Sequence, residues 1–401
     1  MNTTKSTFKP GEIIDIHVHL GGPPGENNRM YYWSEKFTSS PSFEAIKMVT
    51  RLNKSTVSGP RYVSVLLQQI IESKYVDKIV LLGLDEVYRE DGQRQVEHSH
   101  LFVANEYLAH LTRIYPHFLF GCSVHPYSPQ ALTRLWECAQ GGAVLCKWLP
   151  SSQAIDPTHP LSQKFYRALA ELDLPLLLHV GPEGAIPRGG ISLADENLFN
   201  AAMGHFGSTP GDGIKMALEA GVRVIVAHAA TPLNSLMGLN TNYWESVFEK
   251  LLARLEAVEA NSSLYADISA FCLPGRYKYV QQILPLVQEL PHKFCYGSDF
   301  PVPIISFKGK ALKQLLDAFG WLAERALPHN DFDKNYKLLN AHFPEAVFRN
   351  AVNILRHPQK PVPDLKKYLR RVGEGGVGRK WFLWGKQMRQ MFGREKVKLA
   401  G

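Results

Sequence analysis

Short runs rich in valine, isoleucine and leucine recur along this chain, separated by longer stretches whose apolar residues fall at helical spacing. Eight runs stand out, at 13–19, 78–84, 118–125, 143–149, 174–180, 222–229, 264–269 and 294–299. Near-continuous apolar runs of this length mark strands buried on both faces, as in a parallel sheet. The stretches between them, 43–75, 100–115, 129–140, 161–172, 193–220, 244–260 and 277–290, are each long enough for a crossover helix, and 310–326 completes the eighth unit. Eight such units close a barrel, so the expected fold is α/β, a (β/α)8 TIM barrel. An open doubly wound sheet would require a Gly-x-Gly-x-x-Gly turn after the first strand. Gly21-Gly22-Pro23-Pro24-Gly25 does not match it, and its prolines lack amide donors.

Helical spacing continues through 343–356, and Pro358, Pro361 and Pro363 then break the pattern. The expected organisation is a barrel over 1–357 and a basic C-terminal extension over 358–401. Charge sharpens this division. The net charge is +8, yet 359–401 alone hold twelve Lys and Arg against three Asp and Glu, so the body is close to neutral. On a helical wheel Trp381, Trp384, Met388, Met391 and Phe392 share one face of the extension, with Lys386, Arg389 and Arg394 elsewhere. Such a segment suits either an anionic membrane surface or docking on the barrel or on a second subunit of a homo-oligomer; docking is the simpler expectation. Nucleic acid is not an expected partner, because the body offers no basic stripe or recognisable module.

At 45% hydrophobic and 20% charged residues the chain has ordinary globular usage. The odd count of five cysteines, without Cys-x-x-Cys spacing, reads as reduced, buried thiols. The N-terminal residues show no basic segment followed by an apolar one, and no run reaches the length of a membrane span. The expected location is the cytoplasm.

The chemistry concentrates at the strand ends. In Asp15-Ile16-His17-Val18-His19, strand alternation sends His17 and His19 one way and Ile16 and Val18 the other. Lys147 ends the fourth run, His179 the fifth, His228 the sixth and Asp299 the eighth. In a barrel these six meet at the C-terminal mouth. Buried histidines and a buried carboxylate need a shared partner, and a metal ion supplies one.

These residues resemble the amidohydrolase superfamily. The wording around them, Ser123 to Tyr127 (SVHPY), Lys147 to Pro157 (KWLPSSQAIDP) and Tyr296 to Pro301 (YGSDFP), is similar to the amidohydrolase-related branch that contains aminocarboxymuconate-semialdehyde decarboxylase. The resemblance implies a metal-dependent barrel enzyme in which His17, His19, His179 and Asp299 bind a divalent cation, zinc or else manganese, and His228 serves as a base or substrate contact. It leaves Lys147 open, either carboxylated and bridging two ions or unmodified against an anionic substrate. With Asp299 and His228 as the catalytic pair, the expected function is a hydrolase cleaving a C–O or C–N bond, in an ester, lactone or amide of a small carboxylated molecule, through metal-activated water. The alternative within the family is nonoxidative decarboxylation. From another class, an inactive barrel acting as an interaction scaffold is disfavoured by the intact cluster. Arg188, Arg61 and His125 are candidate substrate contacts. The aromatic stretch 21–41, with Tyr31, Tyr32, Trp33 and Phe37, is either a lid or rim packing.

Overall fold

The computed structural model describes residues 7–22, 30–40, 43–44, 47, 59–180, 186–187, 212–231, 241–257, 263–273, 276, 278–302 and 329–373. Eight parallel strands lie in one sheet in chain order: β1 (Ile14–His19), β2 (Lys78–Leu82), β3 (Phe118–Cys122), β4 (Leu145–Trp148), β5 (Leu176–Leu178), β6 (Val224–Val226), β7 (Leu264–Asp267) and β8 (Phe294–Cys295). The sheet closes where Ile16 N donates to Tyr296 O (3.2 Å), His19 N donates to Phe300 O (2.7 Å), and Val18 bridges Phe300 in parallel. The fold is a (β/α)8 TIM barrel.

Between the strands run helices α1 (Gly59–Glu72), α2 (Asn105–Ile114), α3 (Ala131–Gln140), α4 (Pro160–Glu171), α5 (Gly213–Glu219), α6 (Thr241–Ala257) and α7 (Val280–Glu289). Local chemistry sets several starts. Pro160 opens α4 behind a His159 ring that accepts from Leu161 N, and the Asp212 carboxylate accepts from Lys215 N at α5. After β8, Asn330 caps α8 (Asp331–Asn340). The expected helix at 310–326 lies outside the described residues.

Alternation sorts the strand residues into two layers. Ile14, Ile16, Val80, Leu82, Leu119, Leu145, Leu177, Ile225 and Cys295 fill the barrel, while Ile79, Leu81, Phe120, Leu176, Leu178, Val224 and Val226 pack outward among the helices. Gly121 belongs to the inner layer. A Cβ there would stand 2.8 Å from Leu82 Cδ2 and 2.9 Å from Val80 Cγ1, so any larger residue would have to displace these buried side chains. At the opposite end from the mouth, Ile354 and Leu355 join the inner cluster and Arg356 N donates to Val144 O (2.9 Å). The Arg356 side chain, 1% exposed, donates to the carbonyls of Leu172, His357 and Lys360.

Strict alternation fails in β1. The register with β2 shifts between Asp15 and Val18, a β-bulge, so Ile16 faces the barrel interior while Val18 packs outward. Ile16 and Val18 therefore do not share a face. His17 and His19 nonetheless converge, because the extra residue turns His17 inward.

The first part of the basic extension is packed on the barrel. In α9 (Leu365–Arg371), Tyr368 is fully buried and donates to Leu132 O (3.0 Å), and Trp136 Nε1 donates to Pro363 O (2.8 Å). The apolar face expected from Trp381 to Phe392 lies outside the described residues. All five cysteines are free and buried. Among the described residues no helix is long and apolar enough to cross a membrane.

Candidate active site

The inner layer ends, at the C-terminal mouth, in polar side chains. Two residues beyond inward Leu145 comes Lys147, and two beyond Leu177 comes His179, 0% and 5% exposed. Strand β6 departs from this rule. Ala227 shares the inner cluster with Ile225, so alternation assigns the next residue, His228, to the outer face. The chain instead turns through three left-handed residues, His228 (φ 54), Ala229 (φ 46) and Ala230 (φ 53). This conformation is costly for residues bearing a Cβ, and its effect is to bring His228 back over the barrel, stacked on His17 at 4.9 Å. Asp299 is also left-handed (φ 62). Gly297, just before it, lets the backbone press against β1, since a Cβ would fall 2.9 Å from His17 Cβ and 3.1 Å from Ser269 Cβ.

Asp299 is the meeting point. Its Oδ1 is 3.4 Å from His17 Nε2 and 3.3 Å from His19 Nε2, and its Oδ2 is 3.8 Å from His228 Nε2. Lys147 Nζ lies 3.2 Å from His17 Nε2. Among the described residues two trios have donor atoms all within 4.8 Å of one another: His17, His19 and Asp299, and His17, His228 and Asp267. His179 stands outside both trios, its ring edge-on to His228 at 5.3 Å. Tyr62 OH, donating to His19 O at 3.0 Å, ties α1 to the end of β1.

The second trio is a hydrogen-bonded scaffold for the first. Asp267, fully buried at the end of β7, accepts through Oδ2 from His17 Nδ1 (2.9 Å) and through Oδ1 from His228 N (2.8 Å), Ser269 N (3.0 Å) and the Ser269 hydroxyl. A carboxylate only accepts, so His17 carries its proton on Nδ1 and offers the Nε2 lone pair to the centre. Ser269 Oγ donates to Asp267 and accepts from His228 Nδ1 (2.7 Å), which leaves His228 with a bare Nε2 as well. One carboxylate thus fixes the ring states of two histidines from different strands.

Electrostatics agree with these assignments. Burial, joined by Lys147, lowers His17 below the ordinary imidazole value, and burial lowers His179 and His228 well below it, so the rings are neutral. Burial disfavours the carboxylates of Asp267 and Asp299, but hydrogen bonds from His17, Ser269 and the His228 amide to Asp267, and the His19 hydrogen bond and Arg276 charge at Asp299, outweigh it, and both are held below the usual range. Burial pushes Asp15 up to about 7.

Neutral imidazoles and ionised carboxylates are the forms that bind metal. The spacing fits too, since ligand atoms on a four-coordinate zinc with bonds of about 2.0–2.1 Å stand about 3.3 Å apart. The donor set of His17, His19 and Asp299 therefore fits a divalent cation, and equally suits manganese.

Other expectations fare differently. His125, expected to line the pocket, is fully buried. Its Nε2 donates to Gln153 O (2.8 Å) and its Nδ1 accepts from Tyr127 N (3.1 Å), so both ring nitrogens are engaged by the chain. Arg61 is exposed on α1. Arg188 lies outside the described residues, as do 23–29 and 41 of the 21–41 stretch. In the described part of that stretch, Trp33 and Phe37 pack on one another and on Phe43.

Asp15, Asp267, Ser269 and Arg276 were not singled out by the sequence pattern. An acid on an apolar run was the signal that found Asp299, and it applies equally to Asp15 and Asp267. Arg276, 4% exposed in the segment after β7, carried no such signal; its charge helps to lower His179 and His228 and to keep Asp299 ionised.

Comparison with solved structures finds resemblances at low identity. A probable 2-pyrone-4,6-dicarboxylic acid hydrolase from Acinetobacter baumannii with citric acid bound is 15% identical, covering 81% of this chain and 99% of that one, with a TM-score of 0.46. A 2,6-dihydroxybenzoate decarboxylase from Rhizobium is 13% identical over 84% of this chain and 99% of that one (TM-score 0.42). A 5-carboxyvanillate decarboxylase from Novosphingobium aromaticivorans, complexed with manganese and 4-hydroxy-3-methoxy-5-nitrobenzoic acid, is 16% identical over 86% of this chain and 98% of that one (TM-score 0.40). None of the curated proteins matches this chain. The family described as amidohydrolase matches residues 85–337, a span that includes Lys147, His179, His228, Asp267 and Asp299, with His17 and His19 ahead of it. With more than half of its length matched, and with the histidine, lysine and aspartate cluster gathered at the mouth of the barrel, this chain belongs to the amidohydrolase family.

Proposed function

We propose that this protein is a metal-dependent hydrolase that cleaves a C–O or C–N bond in an ester, lactone or amide of a small carboxylated molecule. His17, His19 and Asp299 would hold the cation, with His179 as the further ligand and zinc or manganese as the ion. A cation so held supplies Lewis acidity, polarising a substrate carbonyl and acidifying water. The observation that carries the reading is the state of His228. Its proton is committed to Ser269 on Nδ1, its Nε2 lone pair points toward Asp299, and burial keeps the ring neutral and therefore basic in form. His228 Nε2 takes a proton from the nucleophile and returns it to the leaving group, while Asp299 stabilises the charged ring. Asp267 and Ser269 hold that ring in place throughout.

Lys147 supports a second reading. An unmodified ammonium 3.2 Å from His17 Nε2 would be compatible with contact to an anionic substrate, and so with nonoxidative decarboxylation. Metal content per chain, measured on protein prepared without chelator, separates the two. About two equivalents would support a carboxylated Lys147 between two ions and hydrolysis, and about one would support an unmodified Lys147 and decarboxylation. Release of acid from carboxylated lactones and esters, against release of carbon dioxide from hydroxylated aromatic acids, then decides the reaction. A chain that neither carries metal nor regains it from zinc or manganese would refute both.

A further inference from the structure

We propose that Asp15 is a positioning residue for the metal centre, one that ties the Ser298 turn to the backbone of His17 and so sets how far Asp299 stands from His17 and His19. The inference rests on the metal-centre reading above. Asp15 is 0% exposed, and its Oδ1 accepts from two amides at once, His17 N (3.0 Å) and Ser298 N (2.9 Å). Its Oδ2 has no hydrogen-bond partner among the described residues. A buried carboxylate is expensive to keep, and this one spends a single oxygen on two backbone donors, one in β1 and one in the turn after β8.

The reason lies in the seam of the barrel. Strand β8 is only two residues long, and its ladder to β7 ends at Cys295. Across the seam, Ile16 N bonds Tyr296 O and His19 N bonds Phe300 O. Between these two anchors β1 advances three residues and the opposing chain four. The surplus residue is taken up in the turn of Gly297, Ser298 and left-handed Asp299. Backbone pairing does not fix this turn, and Ser298 N would be a buried donor with no strand partner. Asp15 supplies the missing acceptor, and by bonding His17 N with the same oxygen it references the turn directly to a metal ligand. Ser298 extends the device, its hydroxyl accepting from Phe300 N (3.1 Å) on the far side of Asp299.

The test uses the full chain, zinc titration against a chromophoric chelator, and thermal midpoints of the metal-free forms. Asp15→Asn keeps the accepting oxygen and loses the charge; it is expected to hold zinc as tightly as the unaltered protein. Asp15→Ala removes the acceptor, and its folded form is expected to bind zinc about ten- to a hundredfold more weakly. A purely structural role would lower the thermal midpoint and leave the affinity of the folded protein unchanged. Wild-type affinity in folded Asp15→Ala would overturn the proposal. So would lost affinity in Asp15→Asn, which would make the charge rather than the acceptor the active element. Should Asp15→Ala not fold, lost affinity in Asp15→Asn still overturns the proposal. If the unaltered protein binds no zinc, the metal-centre reading itself fails and this inference falls with it, a result distinct from the other two.

Discussion

Replacing Asp267 by asparagine tests whether the scaffold behind the metal ligands does what its geometry implies. The side chain keeps its shape, and one oxygen remains to accept from His228 N, Ser269 N and the Ser269 hydroxyl. The change falls on the other arm, where an amide NH2 now faces His17 Nδ1 across 2.9 Å. Two N–H groups cannot face each other at that distance, so His17 must move its proton to Nε2 and lose the lone pair aimed at Asp299. A hydrogen bond to a charged group contributes about 1.5–3 kcal/mol. Returning the ring to its binding form costs about that much again from the metal affinity, a weakening of about ten- to a hundredfold. The assay is a zinc or manganese binding isotherm on the folded variant, with circular dichroism as the control for fold. Asp267→Asn that is folded and binds metal within about twofold of the unaltered protein would refute the argument that this carboxylate sets the ring state of His17.

Two further outcomes follow from the barrel itself. Gly121→Ala places a methyl 2.8 Å from Leu82 Cδ2 and 2.9 Å from Val80 Cγ1 in the filled interior, and urea unfolding should show a loss of about 1–3 kcal/mol; an unchanged midpoint would contradict the packing. Burial holds the fully buried His125 ring down to about 4, against about 6.5 in an unfolded chain. Above the unfolded value both states are neutral and nothing is lost; as pH falls toward 4 the unfolded chain takes up the proton first, so stability declines, by about 2 kcal/mol at pH 5. Denaturation of the protein and of His125→Gln at pH 7 and pH 5 checks this, since equal pH slopes in the two would rule it out.

Much of this was legible in the pattern of apolar runs, because a barrel strand is buried on both faces and its sequence shows it. All eight runs hold a barrel strand, and the cluster at their ends was visible because polar residues stand out there. What sequence spacing could not convey is backbone geometry. A bulge in β1 separates Ile16 from Val18, and the left-handed turn after β6 brings inward a histidine that alternation would have sent outward. His228 joined the candidate cluster by its place at the end of a run, and the device that aims it was invisible. Asp15 and Asp267 were passed over because each precedes or follows more conspicuous residues, although a buried acid on an apolar strand carries the same physical message as Asp299. His125 shows the converse. A histidine at a strand end reads as a pocket residue, and only its two backbone partners reveal that both nitrogens are occupied.

The turn at 228–230 places function and stability in opposition. Three successive residues with side chains are held left-handed without a glycine among them, at a cost of roughly 1–2 kcal/mol for each. Summed, that is a sizeable share of the about 5–15 kcal/mol by which domains of this kind resist unfolding. A chain selected for durability alone would carry glycine at 229 and 230, relaxing the backbone and letting the ring wander. Retaining alanine keeps the corner stiff, so the surrounding barrel must hold reserve enough to absorb a local conformation it would otherwise reject.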